Sequence, residues 1–375
     1  MKLNRNLTKT LVAAAGRTRK GKDVHMLVRR RWAMASAALL VAAGLGLAAT
    51  TPAHADGPSQ TIFDNIRNSG SELWQGWQTP VQPPGNIVSY PDDSTDTLTD
   101  STHVDVITTD GLYDIERYSN GTWSNWEPPP QPLCTPASDP GGKTYQTYSA
   151  SDPNGTIDFY QICDGWIYES VRYASGYWAP WYAEDSVPTN TMSLAVTAAG
   201  TLGVDQVMAV TSSGTIWHAT NDFGIWQSWQ APAPVPGGAA SVAAAGLNNG
   251  NAEFIAISYN GSIYHTIRNA NGSWAVWAKP VQPIPDWYEG VQAPLISAAA
   301  DYNGDAQFVI WAVNPISGIT DLWHIIRYAN GTWLSDGWLE PWMPPGRCFG
   351  SVTINTYDPY DANLHLDTVC NATAG

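Results

Sequence analysis

Six pairs of tryptophans, spaced W-x-x-W or close to it, punctuate this 375-residue chain. They are Trp74/Trp77, Trp123/Trp126, Trp178/Trp181, Trp226/Trp229, Trp274/Trp277 and the wider Trp333/Trp338. Their second members lie 49, 55, 48, 48 and 61 residues apart. A repeat near fifty residues that holds several short strands is the sequence pattern of a β-propeller blade.

The residues ahead of each pair repeat as well. The clearest copies are Ile263-Tyr-His-Thr-Ile-Arg-Asn-Ala-Asn-Gly-Ser-Trp274 and Leu322-Trp-His-Ile-Ile-Arg-Tyr-Ala-Asn-Gly-Thr-Trp333. Leu112–Trp123 and Ile167–Trp178 carry Asp114 and Glu169 in place of the His, Ile62–Trp74 is another copy, and Ile216–Trp226 is worn and one residue shorter. Alternation of period two reads as a strand, and the Asn-Gly turn reverses it into a second strand bearing the tryptophans. Upstream lie an apolar strand, such as Glu253–Ser258, and a run of small residues, such as Ser241–Gly246. That makes four strands per repeat, A to D, with small side chains on A because inner strands crowd about a propeller axis.

The first repeat has only strands C and D (Thr61–Asn68, Leu73–Trp77), and the last segment offers only A and B (Phe349–Tyr357, Asn363–Val369). Joining them completes a blade from both ends of the chain and leaves no long sheet edge exposed. The expected fold is therefore an all-β, six-bladed propeller of four antiparallel strands per blade over residues 56–375.

Residues 1–55 read as a secretory signal: Arg29-Arg30-Arg31, an apolar run from Ala33 to Ala49, then the small-residue site Ala53-His54-Ala55. The stretch before Met26 is long for such a signal, so Met26 is an alternative start, and the arginines leave general secretory and twin-arginine export both open. The apolar run is short for a membrane span. Residues 1–55 hold ten of the 18 Lys/Arg and one of the 33 Asp/Glu. Residues 56–375 thus carry eight basic against 32 acidic side chains, a formal charge of −24. Such a surface disfavours nucleic acid and anionic membranes and does not penalise neutral ligands such as sugars.

All four cysteines fall in the exported part, where disulfides persist. Cys134 and Cys348 are expected at the start of a strand A, and Cys163 and Cys370 at the end of the following strand B. Such ends face each other in a hairpin, which predicts Cys134–Cys163 and Cys348–Cys370. Metal binding is the alternative, without C-x-x-C spacing or a companion His to support it.

The element Tyr264-His-Thr-Ile-Arg-Asn-Ala-Asn-Gly-Ser-Trp274, repeated once per blade, resembles the sugar-binding propellers of the bacterial fucose-lectin (Photorhabdus lectin-like) and tectonin-like type. That resemblance spans nearly all of residues 56–375 and implies shallow ligand pockets between neighbouring blades. There an aromatic stacks on the sugar, and Arg, Glu or Gln groups bond its hydroxyls. The chain departs from the fungal fucose lectins in having no regular Glu partner for its arginines.

Arg67, Arg117, Arg172, Arg268 and Arg327 share one register of the repeat, where the worn copy has Asn221. A guanidinium beside an aromatic is a good donor set for sugar hydroxyls. The alternative is a repeated structural tie from each blade to a neighbour's carboxylate or carbonyl. Trp77, Trp126, Trp181, Trp229, Trp277 and Trp338 are stacking candidates on the outer strand. Residues i and i+3 on a regular strand face opposite sides, so most of the twelve tryptophans are expected in the core between blades. His218, His265 and His324 share another register, one per blade, and are read as solvated or inter-blade hydrogen-bonding groups rather than metal ligands.

Asn120, Asn154, Asn260, Asn271, Asn330 and Asn371 begin N-x-[ST], yet most coincide with hairpin turns. Asp301-Tyr-Asn-Gly-Asp305 is read as a plain A–B turn, with a calcium loop as the alternative. No cofactor motif is present, and no odd acidic motif marks a catalytic blade. The expected function is multivalent carbohydrate binding outside the cell. A glycoside hydrolase with one central site and a protein-interaction scaffold are the alternatives.

Overall fold

The computed structural model describes residues 60–69, 71, 73–132, 134, 146–280, 295–313, 320–339, 343–344, 347–355 and 363–371. Residues 1–55, read from the sequence as an expected secretory signal, lie outside them. Every regular element among the described residues is a β-strand, and every sheet is antiparallel.

Six sheets follow one another along the chain. The second sheet holds β2 (Asp92–Asp96), β3 (Ser101–Thr108) and β4 (Gly111–Arg117); the third holds β5 (Tyr148–Ser151), β6 (Ile157–Cys163), β7 (Trp166–Arg172) and β8 (Tyr182–Ser186). The fourth holds β9 (Thr191–Ala199), β10 (Val204–Thr211), β11 (Ile216–Asp222) and β12 (Ile225–Trp226). The fifth holds β13 (Ala239–Gly246), β14 (Ala252–Ser258) and β15 (Ile263–Arg268), and the sixth β16 (Leu295–Ala300), β17 (Ala306–Val313) and β18 (Thr320–Arg327). The first sheet joins the two ends of the chain, with order β1 (Gln60–Arg67), β20 (Leu364–Asn371), β19 (Arg347–Asn355). The expected sharing of one sheet by both termini is what the structure shows.

The outer strand differs from the expected continuous D strand. In four sheets it is held only by single bridges; in the sixth, Arg327 faces Trp333 and His324 faces Leu339, three steps against six, and in the other three the bridges follow one rule. Arg268 faces Trp274 while His265 faces Ala278; Arg117 faces Trp123 while Asp114 faces Glu127; Arg67 faces Trp74 while Asp64 faces Gln78. Three steps along the inner partner meet four along the outer strand, which is a β-bulge. Cross-strand partners share a face, so the bulge turns both tryptophans of a pair to the side of the Arg. The expectation that they face opposite sides assumed a regular strand, and the extra residue overturns it.

Consecutive sheets meet through these faces. Between the fifth and sixth, Ile255 and Ile257 pack with Phe308, Ile310, Trp333 and Trp338. Between the sixth and first, Val309 and Trp311 pack with Ile354, Leu366, Trp74 and Trp77. Similar apolar clusters join the first to the second, the third to the fourth and the fourth to the fifth. The second and third meet through hydrogen bonds: Thr95 N–H donates to Ser151 Oγ at 2.8 Å, and Thr97 Oγ1 to the Asp152 carbonyl at 2.9 Å.

Inner strands also touch in order: β2 with β5, β5 with β9, β9 with β13, β13 with β16, β16 with β19, and β19 with β2. Small residues permit this approach. A Cβ on Gly246 of β13 would meet the backbone carbonyl of Ala198 on β9. Both disulfides form as expected, Cys134–Cys163 and Cys348–Cys370. Cys134, however, lies ahead of β5, which starts at Tyr148, so it does not open the inner strand. The Asp301–Asp305 segment is a tight turn, with Gly304 N–H donating to the Asp301 carbonyl at 2.9 Å.

Replacing Gly246 by Ala is expected to force β9 and β13 apart. A loss of about 1–3 kcal/mol, the usual cost of overpacking, should show as a lower urea midpoint with an unchanged slope.

Candidate functional site

The bulge explains where the repeated side chains go. The Arg and both tryptophans of one sheet face the preceding sheet, and the His-register residue faces the following one. Trp274 of the fifth sheet meets His218 of the fourth edge-on, with ring centroids 5.1 Å apart. Trp333 of the sixth meets His265 of the fifth at 5.2 Å, and Trp74 of the first meets His324 of the sixth at 5.8 Å. Each imidazole is held within its own sheet: Nε2 of His218 lies 3.1 Å from Gln206 Oε1, that of His324 2.7 Å from Gln307 Oε1, and that of His265 3.1 Å from Glu253 Oε2.

The second tryptophans do a different job. Trp181 Nε1 donates to the Pro130 carbonyl at 2.7 Å and Trp277 Nε1 to the Ala233 carbonyl at 2.9 Å; Trp126 Nε1 donates likewise to the Val81 carbonyl. Each acceptor lies four residues after the second tryptophan of the preceding repeat. The indole therefore pins the Pro-rich connection of the sheet it packs on. Trp77, Trp126, Trp181 and Trp229 are half-buried, while Trp277 and Trp338 are buried.

The five arginines occupy equivalent places but meet different partners. Arg117 Nε lies 3.4 Å from Asp64 Oδ2 of the first sheet. Arg172 reaches two carboxylates of the second sheet, Asp96 at 3.3 Å and Glu116 at 3.8 Å. Arg327 pairs with Glu253 of the fifth. Arg268 faces the fourth sheet, where Gln206 stands at the register of Glu253, and burial lowers its pKa. Arg67, 4% exposed, sits close enough to His324 to disfavour its protonation. In this setting the arginines are inter-sheet ties as well as candidate donors.

One inter-sheet junction opens into a cleft. Between the first and second sheets lies a cavity of about 340 Å³ lined by Arg117, Gln75, Asn68, Asn120, Tyr118 and His365, among others. β4 ends at Arg117, and the Ser119-Asn120-Gly121 turn folds over its side chain. A Cβ on Gly121, whose φ is +85°, would lie 3.4 Å from Arg117 Nη2. His365 arrives on β20, with Nδ1 3.7 Å from Asp64 Oδ1. Behind this wall, burial pushes Asp367 and Asp93 well above the usual carboxylate range. The cleft thus combines a guanidinium, several amides, an imidazole and a phenol. Arg117 is the residue of the sequence-based set that lines it. Gln75, Asn68, Tyr118 and His365 were not anticipated, since His365 reaches the cleft only through the joining of the chain ends.

A second cavity, of about 320 Å³, runs among the inner strands past Asp92, Asp93, Tyr148, Leu194, Val242 and Ile354. The carboxylates lining it are Asp92 and Asp93, adjacent on β2, rather than a pair facing across a bond.

No protein-family model and no curated protein matches the sequence. Solved structures do match in fold. SapL1 lectin in complex with alpha methyl fucoside superposes with a TM-score of 0.50 at 16% identity, covering 76% of this chain and 90% of the lectin. A triple arginine-to-alanine mutant of AofleA from Arthrobotrys oligospora gives 0.52 at 12% identity, covering 85% and 88%. The Aleuria aurantia lectin, described as a six-bladed β-propeller with a novel fucose recognition mode, gives 0.48 at 14% identity, covering 72% and 84%. At these identities what is shared is the fold.

Removing Arg327 takes the guanidinium from the buried Glu253 and leaves it His265, so Arg327→Ala is expected to cost up to about 3 kcal/mol, the low end for breaking a buried pair, in chemical denaturation. Arg268→Ala leaves no carboxylate unpaired at that register and should cost clearly less. The imidazoles set a pH response too. Burial first, and then a nearby arginine, lower the pKa of His218 and His324 from the usual 6.5 to about 3. A group depressed on folding stabilises fully above its unfolded pKa and loses that contribution as pH falls through the folded one. The window is therefore pH 6.5 down to about 3. His324→Gln should flatten the acid limb of the melting-temperature profile relative to the parent chain.

Proposed function

We propose that this chain is a six-bladed propeller that binds carbohydrate, and that its best-formed site is the cleft between the first and second sheets. The cyclic order of inner-strand contacts, in which β19 returns to β2, supports ring closure. The observation that carries the binding reading is the cleft itself. It places one fixed guanidinium among amide, hydroxyl and imidazole groups in a space large enough for a sugar ring, and Tyr118 supplies an aromatic face at its edge. Neutral polyols are recognised by such sets of donors and acceptors with an apolar stacking surface. The similarity in fold to lectins bound to fucoside is in keeping with it.

The same register recurs in other sheets, so further weaker sites are proposed at the junctions of Arg172, Arg268 and Arg327, with avidity arising from their number. Two disulfides favour an oxidising, extracellular setting. Adjacent acids on one strand give the central cavity no facing carboxylate pair, so binding is preferred over glycoside hydrolysis.

Glycan-array screening of the chain, repeated with free monosaccharide as competitor, tests this reading. The expected result is a selective, competable signal that falls at least about tenfold, equivalent to about 1.4 kcal/mol, in Tyr118→Ala and Gln75→Ala. Both side chains lie outside the ion pairs, so melting temperature should hold. A blank array, or a signal indifferent to both substitutions, would reject the cleft as a sugar site.

A further inference from the structure

At the junction of the third and fourth sheets the repeated arginine is missing, and what stands there is a buried nest of acids. Asn221 occupies the arginine register, facing Asp205 as Arg268 faces Ala252 and Arg327 faces Ala306. On the third sheet Asp158 stands at the register of Glu253, the carboxylate that Arg327 neutralises two junctions further on. Asp158 instead faces Asp205, Glu169 and Glu184.

Carboxylate oxygens of Asp152, Asp158 and Asp205 all lie within 4.8 Å of one another. Asp152 and Asp205 are each 2% exposed. Their Oδ1 atoms, together with Oε2 of Glu169, are buried and accept no hydrogen bond among the described residues. The second oxygens of Asp205 and Glu169 are tied in place: Tyr160 donates its hydroxyl to Asp205 Oδ2, and Asn221 Nδ2 donates to Tyr160 Oη at 2.9 Å and to Glu169 Oε1 at 3.2 Å. Gly203, at φ +70°, leaves the space that the Asp152 carboxylate takes up, since a Cβ there would collide with Oδ1.

We propose that this junction is a calcium site, in which the metal takes the place of the arginine found at the same register elsewhere. Calcium prefers six to eight hard oxygen ligands in adaptable geometry, and carboxylates select such cations over softer metals. Asp152 and Asp158 would contribute from the third sheet and Asp205 from the fourth, with Glu169 at the rim, so the ion would bridge two sheets as the guanidinium does. Without a cation, burial pushes Asp152 up to about 8 and Glu169 to about 7, and raises Asp158 and Asp205 well above the carboxylate range.

The test is calorimetric titration of calcium chloride into chelator-stripped full-length chain near pH 7.5, with melting curves in EDTA and in excess calcium chloride. The expected result is saturable heat at about one ion per chain and a melting temperature raised by calcium. Asp205→Asn should abolish the heat. Asn221→Arg, which restores the basic group of the other junctions, should leave the chain folded and remove the calcium response. If Asp205→Asn does not fold, Asn221→Arg and the titration of the parent chain decide the question by themselves. No heat, with identical melting in EDTA and calcium, would overturn the site and leave a nest neutralised by protons.

Discussion

The rest of this structure depends on the bulge in the outer strand of each repeat, one extra residue in five sheets and three in the sixth. By opposing an odd number of steps with an even one, the bulge turns two indoles to the side of the arginine register, toward the preceding sheet. A sheet of three or four short strands cannot bury both of its faces alone. Here each sheet supplies the aromatic cover for its predecessor and receives the same from its successor. The imidazole or carboxylate on the opposite face completes the junction, edge-on to an indole or paired with a guanidinium. Stability is thus concentrated between sheets, and small residues line the inner strands where these converge most closely, as in β13 and β16.

Much of this was legible in the amino-acid order. The spacing of the tryptophan pairs marked the repeats, and the half-repeats at the two ends announced a shared sheet. The cysteine pairing followed from strand order even though Cys134 lies ahead of β5 rather than on it. What could not be read was the facing of Trp274 and Trp277, because alternation by two holds only for an unbulged strand. The cleft residues Asn68 and His365 were hidden for another reason, since they lie almost three hundred residues apart and meet only when the first sheet assembles.

Charge is distributed by the same logic. Residues 56–375 hold eight basic side chains and place five of them at junctions, where Arg117, Arg172 and Arg327 each offset a buried carboxylate. Desolvation makes such pairs weak contributors in sum, yet breaking one leaves an unpaired charge at high cost. The arginines are consequently poor guides to ligand binding when read from sequence alone, because the structural demand accounts for their repetition.

Differences between junctions then carry the functional information. Where Arg327 meets Glu253 the buried carboxylate has its guanidinium partner. Where Arg117 meets Asp64, the neighbouring strand comes from the far end of the chain, and the hairpin turns on either side stand apart enough to leave a polar cleft. Where Asn221 replaces the arginine, the facing acids multiply instead of disappearing, with Asp152, Asp158, Glu169 and Asp205 together around one space. Simple erosion of a repeat would be expected to lose the carboxylates along with their partner, since each unpaired acid destabilises the fold. Their retention in the one junction without a guanidinium is what a different counter-charge would require.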